Sequence, residues 1–113
     1  MLPSINRIKK KKDFEAIFKK SKSFKNDIFI LKVAKNTLGL NRFGFIVSLK
    51  ISKKATIRNK IRRRLAEAFM AKGKNIKPGT DLVLIALPGI KEKDFSAITG
   101  AVKDALVGAG LFN

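Results

Sequence analysis

The sequence predicts an α+β fold in a single domain, residues 1–113, with helices laid against a small sheet. Three observations carry that expectation. Apolar residues recur with a helical period in three stretches, and two β-rich runs with alternating character stand between the first two of these. A further run, DLVLIAL at 81–87, is apolar without alternation and is framed by Pro78-Gly79 and Pro88-Gly89, as expected of a strand covered on both faces or in mid-sheet. At 113 residues and 45% apolar content the chain can bury one small core and has no length for a second.

The first helix is expected from Lys11 to about Lys20, because Phe14, Ile17 and Phe18 fall at i, i+3 and i+4. Ser21 to Asn26 reads as a turn. Ile28 to Lys35 reads as a strand with Phe29, Leu31 and Val33 on one side. Arg42 to Lys50 reads as a second strand with Phe43, Phe45, Val47 and Leu49 on one face. The short Gly-containing loop Asn36 to Asn41 would join the two as an antiparallel hairpin. A second helix is expected from about Ala55 to Lys72, with Ile57, Ile61, Leu65, Ala68 and Phe69 as its apolar stripe and Gly73 closing it. The last helix, about Asp94 to Val107, carries Phe95, Ile98, Val102, Ala105 and Leu106 at helical spacing, and Asp94 is its expected N-cap. The resulting order is α-β-β-α-β-α.

Charge is the strongest compositional signal. The formal net charge is +18, and residues 1–80 hold 23 Lys and Arg against Asp13, Glu15, Asp27 and Glu67. Self-repulsion on that scale works against compactness unless an anion offsets it, which points to nucleic acid or an anionic membrane as partner. There is no Cys and no His, so disulfides, thiolate chemistry, imidazole zinc sites and the commonest general base are excluded. The stretch MLPSINRIKKKKDF lacks the continuous apolar segment of a secretory signal, and no apolar run has the roughly 18 residues needed to span a bilayer. A cytoplasmic protein is expected.

The cationic residues concentrate at 50–64, where Lys50, Lys53, Lys54, Arg58, Lys60, Arg62, Arg63 and Arg64 occur without an acid. At about 100° per residue, Asn59, Arg62 and Arg63 project to the solvent side of the second helix. Arg58 and Lys60 take its flanks, and Arg64 lies almost over the apolar stripe. A merely solvated helix face usually mixes signs to gain i,i+4 pairs, and this one does so only at Glu67. From 58 to 64 Arg, whose planar fork grips phosphate and stacks on bases, outnumbers Lys four to one, although Lys dominates the rest of the chain. Cations in the first half of a helix oppose its macrodipole by roughly 0.3–1 kcal/mol each, a penalty a polyanion would reverse. Nucleic acid is therefore the favoured partner.

Other candidates carry two readings each. Phe14 and Phe18 are core aromatics by default, or a partly exposed pair able to stack on unpaired bases. Lys9 to Lys12 could form a flexible arm. Asp13 and Glu15 suit the start of a helix dipole more than a hydrated magnesium site. Gly44 and Ser48 either open a groove on the second strand or relieve packing.

Four stretches, in order, resemble the protein subunit of bacterial ribonuclease P. They are RIKKKKDFEAIFKKSKSF (7–24), RFGFIVSLKISKKATIRNKIRRRLAEAF (42–69), DLVLIALPG (81–89) and, by position, the terminal helix. The resemblance implies an α-β-β-α-β-α sandwich with a left-handed β-α-β crossover, the ribosomal protein S5 domain 2-like fold, which general handedness rules would not have suggested. It implies a partnership with a catalytic RNA that removes 5′ leaders from precursor tRNA. Arg58, Asn59, Lys60, Arg62 and Arg63, with Lys50, Lys53 and Lys54, would then contact RNA. Phe14 and Phe18, with Lys32 and Ser48 as neighbours, would line a cleft for the single-stranded leader. Hydrolysis would belong to magnesium held mainly by the RNA, with no membrane and no small-molecule substrate involved. Lys60 stands where the family usually has Arg, Arg64 where an apolar residue is common, Ala66 where a basic one is common, and Lys32 where an aromatic is often found. Either the RNA contact is turned on this helix or Arg64 snorkels. A ribosomal or general RNA-binding structural protein is the alternative. The missing acid/base inventory argues against a protein nuclease in its own right.

Overall fold

The computed structural model describes residues 6–72 and 76–111. Met1–Ile5 and Gly73, the expected helix stop, lie outside the described residues. Among the described residues there are three α-helices: α1 (Lys11–Lys20), α2 (Ala55–Lys72) and α3 (Phe95–Gly108). Four strands, β1 (Lys22–Lys25), β2 (Phe29–Lys35), β3 (Arg42–Ile46) and β4 (Thr80–Ala86), form one sheet in the order β1-β2-β4-β3. The turn after β4 continues as a 3₁₀ segment, Pro88–Glu92. Among the described residues no helix is long and apolar enough to cross a membrane.

The helices follow the sequence pattern closely. Asp94 caps α3 by accepting a hydrogen bond from the Ala97 N–H at 2.8 Å. On α2, Ile61, Leu65, Ala68 and Phe69 are buried, with Ile57 half-buried beside them. Phe69 sits against Phe43 and Phe45, with ring centroids 5.3 and 5.9 Å away, so α2 is held to β3 by an aromatic cluster.

The strands correct the expected connectivity. β2 and β3 do not form a hairpin, because β4 lies between them, antiparallel to β2 and parallel to β3. The reason is burial. β4 presents Leu82, Leu84 and Ala86 to the core beneath α2 and α3, and Val83 to the smaller cluster beneath α1. A strand apolar on both faces is stable only in the middle of the sheet. The unit β3-α2-β4 is therefore a crossover between parallel neighbours.

Two further expectations change. Ser21 to Asn26 is not simply a turn, since Lys22–Lys25 pairs with Val33–Ile30 as an edge strand. β3 ends at Ile46 rather than Lys50; the Ile51 N–H donates to the Ser48 carbonyl at 3.0 Å, closing a turn there. Leu49, expected on the strand's apolar face, is 66% exposed in that turn.

The loop Asn36 to Asn41 has to arch over the start of β4, and polar side chains hold it there. Asn36 N–H donates to the Gly79 carbonyl at 2.8 Å, and the Thr80 N–H donates to Asn41 Oδ1 at 3.0 Å. Gly79 takes φ 83°, a conformation that favours glycine. Asp81, 3% exposed, accepts two hydrogen bonds from Arg42, both at 2.8 Å, and one from Asn36 at 2.8 Å. Asp13 of α1 approaches Arg42 at 3.6 Å. One charged cluster thus ties α1, β3, β4 and the arch together.

Burial pushes the Asp81 carboxyl up, but hydrogen bonds from Arg42 and Asn36, with the charges of Arg42 and Lys20, outweigh it and hold the group below the ordinary carboxylate value. Because the folded value is depressed, this contribution to stability is complete above the unfolded value, about 3.9, and is lost as pH falls through the folded one. Arg42→Ala leaves Asp81 buried without its main partner and should cost about 3 kcal/mol in urea unfolding. The stability difference between the native protein and Asp81→Asn should shrink as pH is lowered below about 4. A difference that stays constant to lower pH would show that the carboxylate charge is not what Arg42 holds.

Candidate RNA interface

The basic segment is built by the end of β3, the loop behind it and the first half of α2. Lys50, Lys53 and Lys54 are exposed on the loop. The Lys54 carbonyl accepts from the N–H groups of Ile57 and Arg58, both at 3.2 Å, which starts the helix. Two arginines fasten the loop to the helix. Arg58 Nη1 donates to the Ser52 carbonyl at 2.9 Å, and Arg62 Nη2 reaches the Val47 carbonyl at 3.5 Å. Arg62 Nη1 also donates to Asn59 Oδ1 at 2.5 Å, so Asn59 orients Arg62 on the outer face. Each guanidinium has five N–H donors, so both retain capacity for phosphate while being held in place by the protein.

Lys60 and Arg63 are exposed on the same half of α2, whose first turn contains no acid. Arg64 is different. Its guanidinium turns away and donates to the Lys93 carbonyl at 3.4 Å, above a hollow lined by Ile57, Ile61, Ile90 and Ile98. Of the two options open at the sequence level, Arg64 snorkels. Ala66 instead forms part of the wall of a cavity of about 260 Å³, with Arg62, Arg63, Phe14, Gly44 and Phe45 around it.

On the other side of the sheet, α1 contributes one fully buried side chain, Ile17, and covers the strands only in part. Ile30, Lys32, Ile46 and Ile85 stay half-buried on the uncovered part of that face. Phe14 lies directly over the Gly44 backbone, where a Cβ would come within 2.6 Å of its ring. Gly44 is thus the seat of Phe14 rather than an opening in the strand. Phe18, one turn on, is 40% exposed, with its ring centroid 6.4 Å from that of Phe14. Lys32 Nζ stands 5.8 Å from the Phe18 ring and donates to Ser23 Oγ at 2.8 Å.

Phe14, Phe18 and Lys32 therefore come together, with Phe18 next to both of the others. The core reading suits Phe14 in part and fails for Phe18. Ser48 does not join them: it lies past the end of β3, where its Oγ accepts from the Lys50 N–H at 3.3 Å. Sequence reasoning missed Ser23, which anchors Lys32, and the Arg42–Asp81 pair, which fixes β3 beneath Phe14. An acid opening an otherwise apolar strand was the available signal for the second, since a buried carboxylate needs a partner. Asp13 is engaged with Arg42, and among the described residues no three His, Cys, Asp or Glu side chains gather as a metal site.

The family model described as Ribonuclease P matches residues 2–110 of this chain. The Ribonuclease P protein component of Clostridium botulinum (strain 657 / Type Ba4) is 37% identical over 109 residues, covering 96% of this chain and 97% of that protein. The RNase P protein of Staphylococcus aureus superposes with a TM-score of 0.87 at 33% identity, covering 96% of this chain and 98% of that one. The RNase P protein from Thermotoga maritima gives a TM-score of 0.80 at 31% identity, covering 87% and 92%. These similarities do not favour the alternative of a ribosomal or general RNA-binding protein. With its sheet order, its basic α2 and its matched length, the chain belongs to the ribonuclease P protein family, as the protein component of that ribonucleoprotein enzyme.

Proposed function

We propose that this chain binds the catalytic RNA of ribonuclease P through α2 and the loop before it, and the 5′ leader of precursor tRNA through the cleft between α1 and the sheet. The observation that carries the reading is the placement of two chemistries on either side of one sheet, which meet at its β3 edge where Phe14, Arg62 and Arg63 line one cavity. On the α2 side, Arg58, Asn59, Lys60, Arg62 and Arg63, with Lys50, Lys53 and Lys54, form a cationic surface in which Arg58 and Arg62 are already oriented. On the α1 side, Phe14, Phe18 and Lys32 offer aromatic rings and one ammonium, which suits unpaired bases on a backbone. Catalysis is assigned to the RNA, with magnesium bound mainly there, because the two carboxylates that approach each other, Asp13 and Asp81, are both committed to Arg42, and no three His, Cys, Asp or Glu side chains gather among the described residues. The reading puts the protein in the cytoplasm, with no membrane or small-molecule substrate.

The purified protein should cleave nothing alone, yet restore leader removal by the catalytic RNA at low magnesium. Failure with active RNA would overturn the assignment. Binding to that RNA should weaken steeply with salt, and Arg62→Ala should flatten the slope by roughly one unit. An unchanged slope would put Arg62 away from the phosphates.

Phe18→Ala should reduce the holoenzyme's preference for precursor over mature tRNA by roughly five- to a hundredfold, the equivalent of about 1–3 kcal/mol for one lost stack. Gly44→Ala displaces the Phe14 ring and should reproduce the effect of Phe14→Ala on that preference. Retention of full leader preference in both Phe14→Ala and Phe18→Ala would make the pair structural only.

A further inference from the structure

At the other end of the sheet from the loop before α2, the chain has a second concave cationic surface that the roles above do not use. It is a basin of about 890 Å³ between the ends of β1 and β2, the turn before β4 and the residues that follow α3. Four lysines, Lys20, Lys22, Lys35 and Lys77, are among its lining residues and no acid is, although Lys20 and Lys35 also border a neighbouring hollow that holds Asp13 and Asp81. None of these lysines has an ion pair with a described residue, since Asp13 and Asp81, the acids nearest this end, are engaged with Arg42. The basin is held open by backbone contacts. Lys77 N–H donates to the Leu111 carbonyl at 2.9 Å, and Asn36 N–H donates to that of Gly79 at 2.8 Å. Its place in the fold follows from register. β4 starts beside the basin and runs parallel to β3 toward the Lys50–Lys54 loop, and its seven residues put roughly 20 Å between the two surfaces.

Four like charges converging on one concavity repel one another and focus a positive potential that a solvated convex face would disperse. The donors are all Lys, compact point charges without the planar fork that reads bases, so the matching ligand is a phosphate backbone rather than a base sequence. We infer that this basin is a second RNA-contacting surface, which takes an RNA phosphate backbone without sequence preference at the end of the sheet remote from the first half of α2. The inference rests on the reading of the chain as an RNA-binding subunit. It makes the protein a bridge that holds two RNA segments about one sheet length apart. The segment in the basin comes either from the catalytic RNA or from the leader of the precursor.

Both sources can be separated with the triple variant K22Q/K35Q/K77Q, which spares Lys20 because its charge acts on Asp81. A control triple, K91Q/K93Q/K103Q, removes the same charge from the segment that carries α3. Salt dependence of affinity is measured for each protein on catalytic RNA alone, and for each holoenzyme on precursor tRNA with a long leader. The basin triple should flatten the slope by about 2, at roughly 0.7 per single-strand phosphate, while the control leaves it unchanged. Flattening on catalytic RNA alone assigns the basin to that RNA, and flattening only with precursor assigns it to the leader. Slopes equal to the control's on both probes overturn the inference. Arg62→Ala in the same series distinguishes the two readings: if its slope flattens and the basin triple's does not, the basin fails alone.

Discussion

The bidentate hydrogen bonding of Arg42 to Asp81, where β4 begins, ties together β3, β4, the arch after β2 and, through Asp13, the start of α1. β4 is the one strand apolar on both faces, so it must occupy the middle of the sheet, yet it enters last and carries a carboxylate at its start. An unpaired carboxylate there would cost several kcal/mol. Arg42 from β3 and Asn36 from the end of β2 satisfy it from either side, so the insertion of β4 between two strands that precede it in sequence is also what neutralises its charge. Asp13 then draws the start of α1 onto the same cluster.

From that arrangement the two surfaces proposed to face RNA follow. With β3 displaced to the sheet edge, α2 returns over one face and is held there by Phe69 against Phe43 and Phe45, which leaves its Arg and Asn side chains outward. With α1 anchored by Asp13 and Ile17, the opposite face remains open beside Phe18 and Lys32. The cationic half of α2 works against its own helix dipole and the net charge of +18 works against compaction, so a bound polyanion would add to the stability of this chain.

Local pattern made the helices and the basic face legible: the stripe from Ile57 to Phe69, the Asp94 cap and the outward Arg62 and Arg63 all lie within a few turns of the residues that determine them. Strand order was not, because a short Gly-containing loop is equally suited to a hairpin, while the insertion of β4 rests on burial and on contacts between distant residues, such as Arg42 and Asp81, 39 apart. The edge strand Lys22–Lys25 escaped because KSFK is mostly polar and gains its conformation from β2 rather than from its own composition. Ser48 was misplaced for a related reason. Alternation continues past Ile46 in the sequence, but nothing in an alternating pattern marks where a strand loses its partner. Arg64, by contrast, was legible as a problem, and its contact with the Lys93 carbonyl resolves it as a side chain folded back over apolar residues.

The claim that distinguishes this account is that α2 and the α1 cleft face different RNAs. It is tested most directly by placing a photocrosslinking residue at position 18 in one protein and at position 59 in another, then irradiating each holoenzyme with precursor tRNA bound. The account predicts that position 18 labels the leader and position 59 labels the catalytic RNA. Labelling of the same RNA from both positions would contradict it.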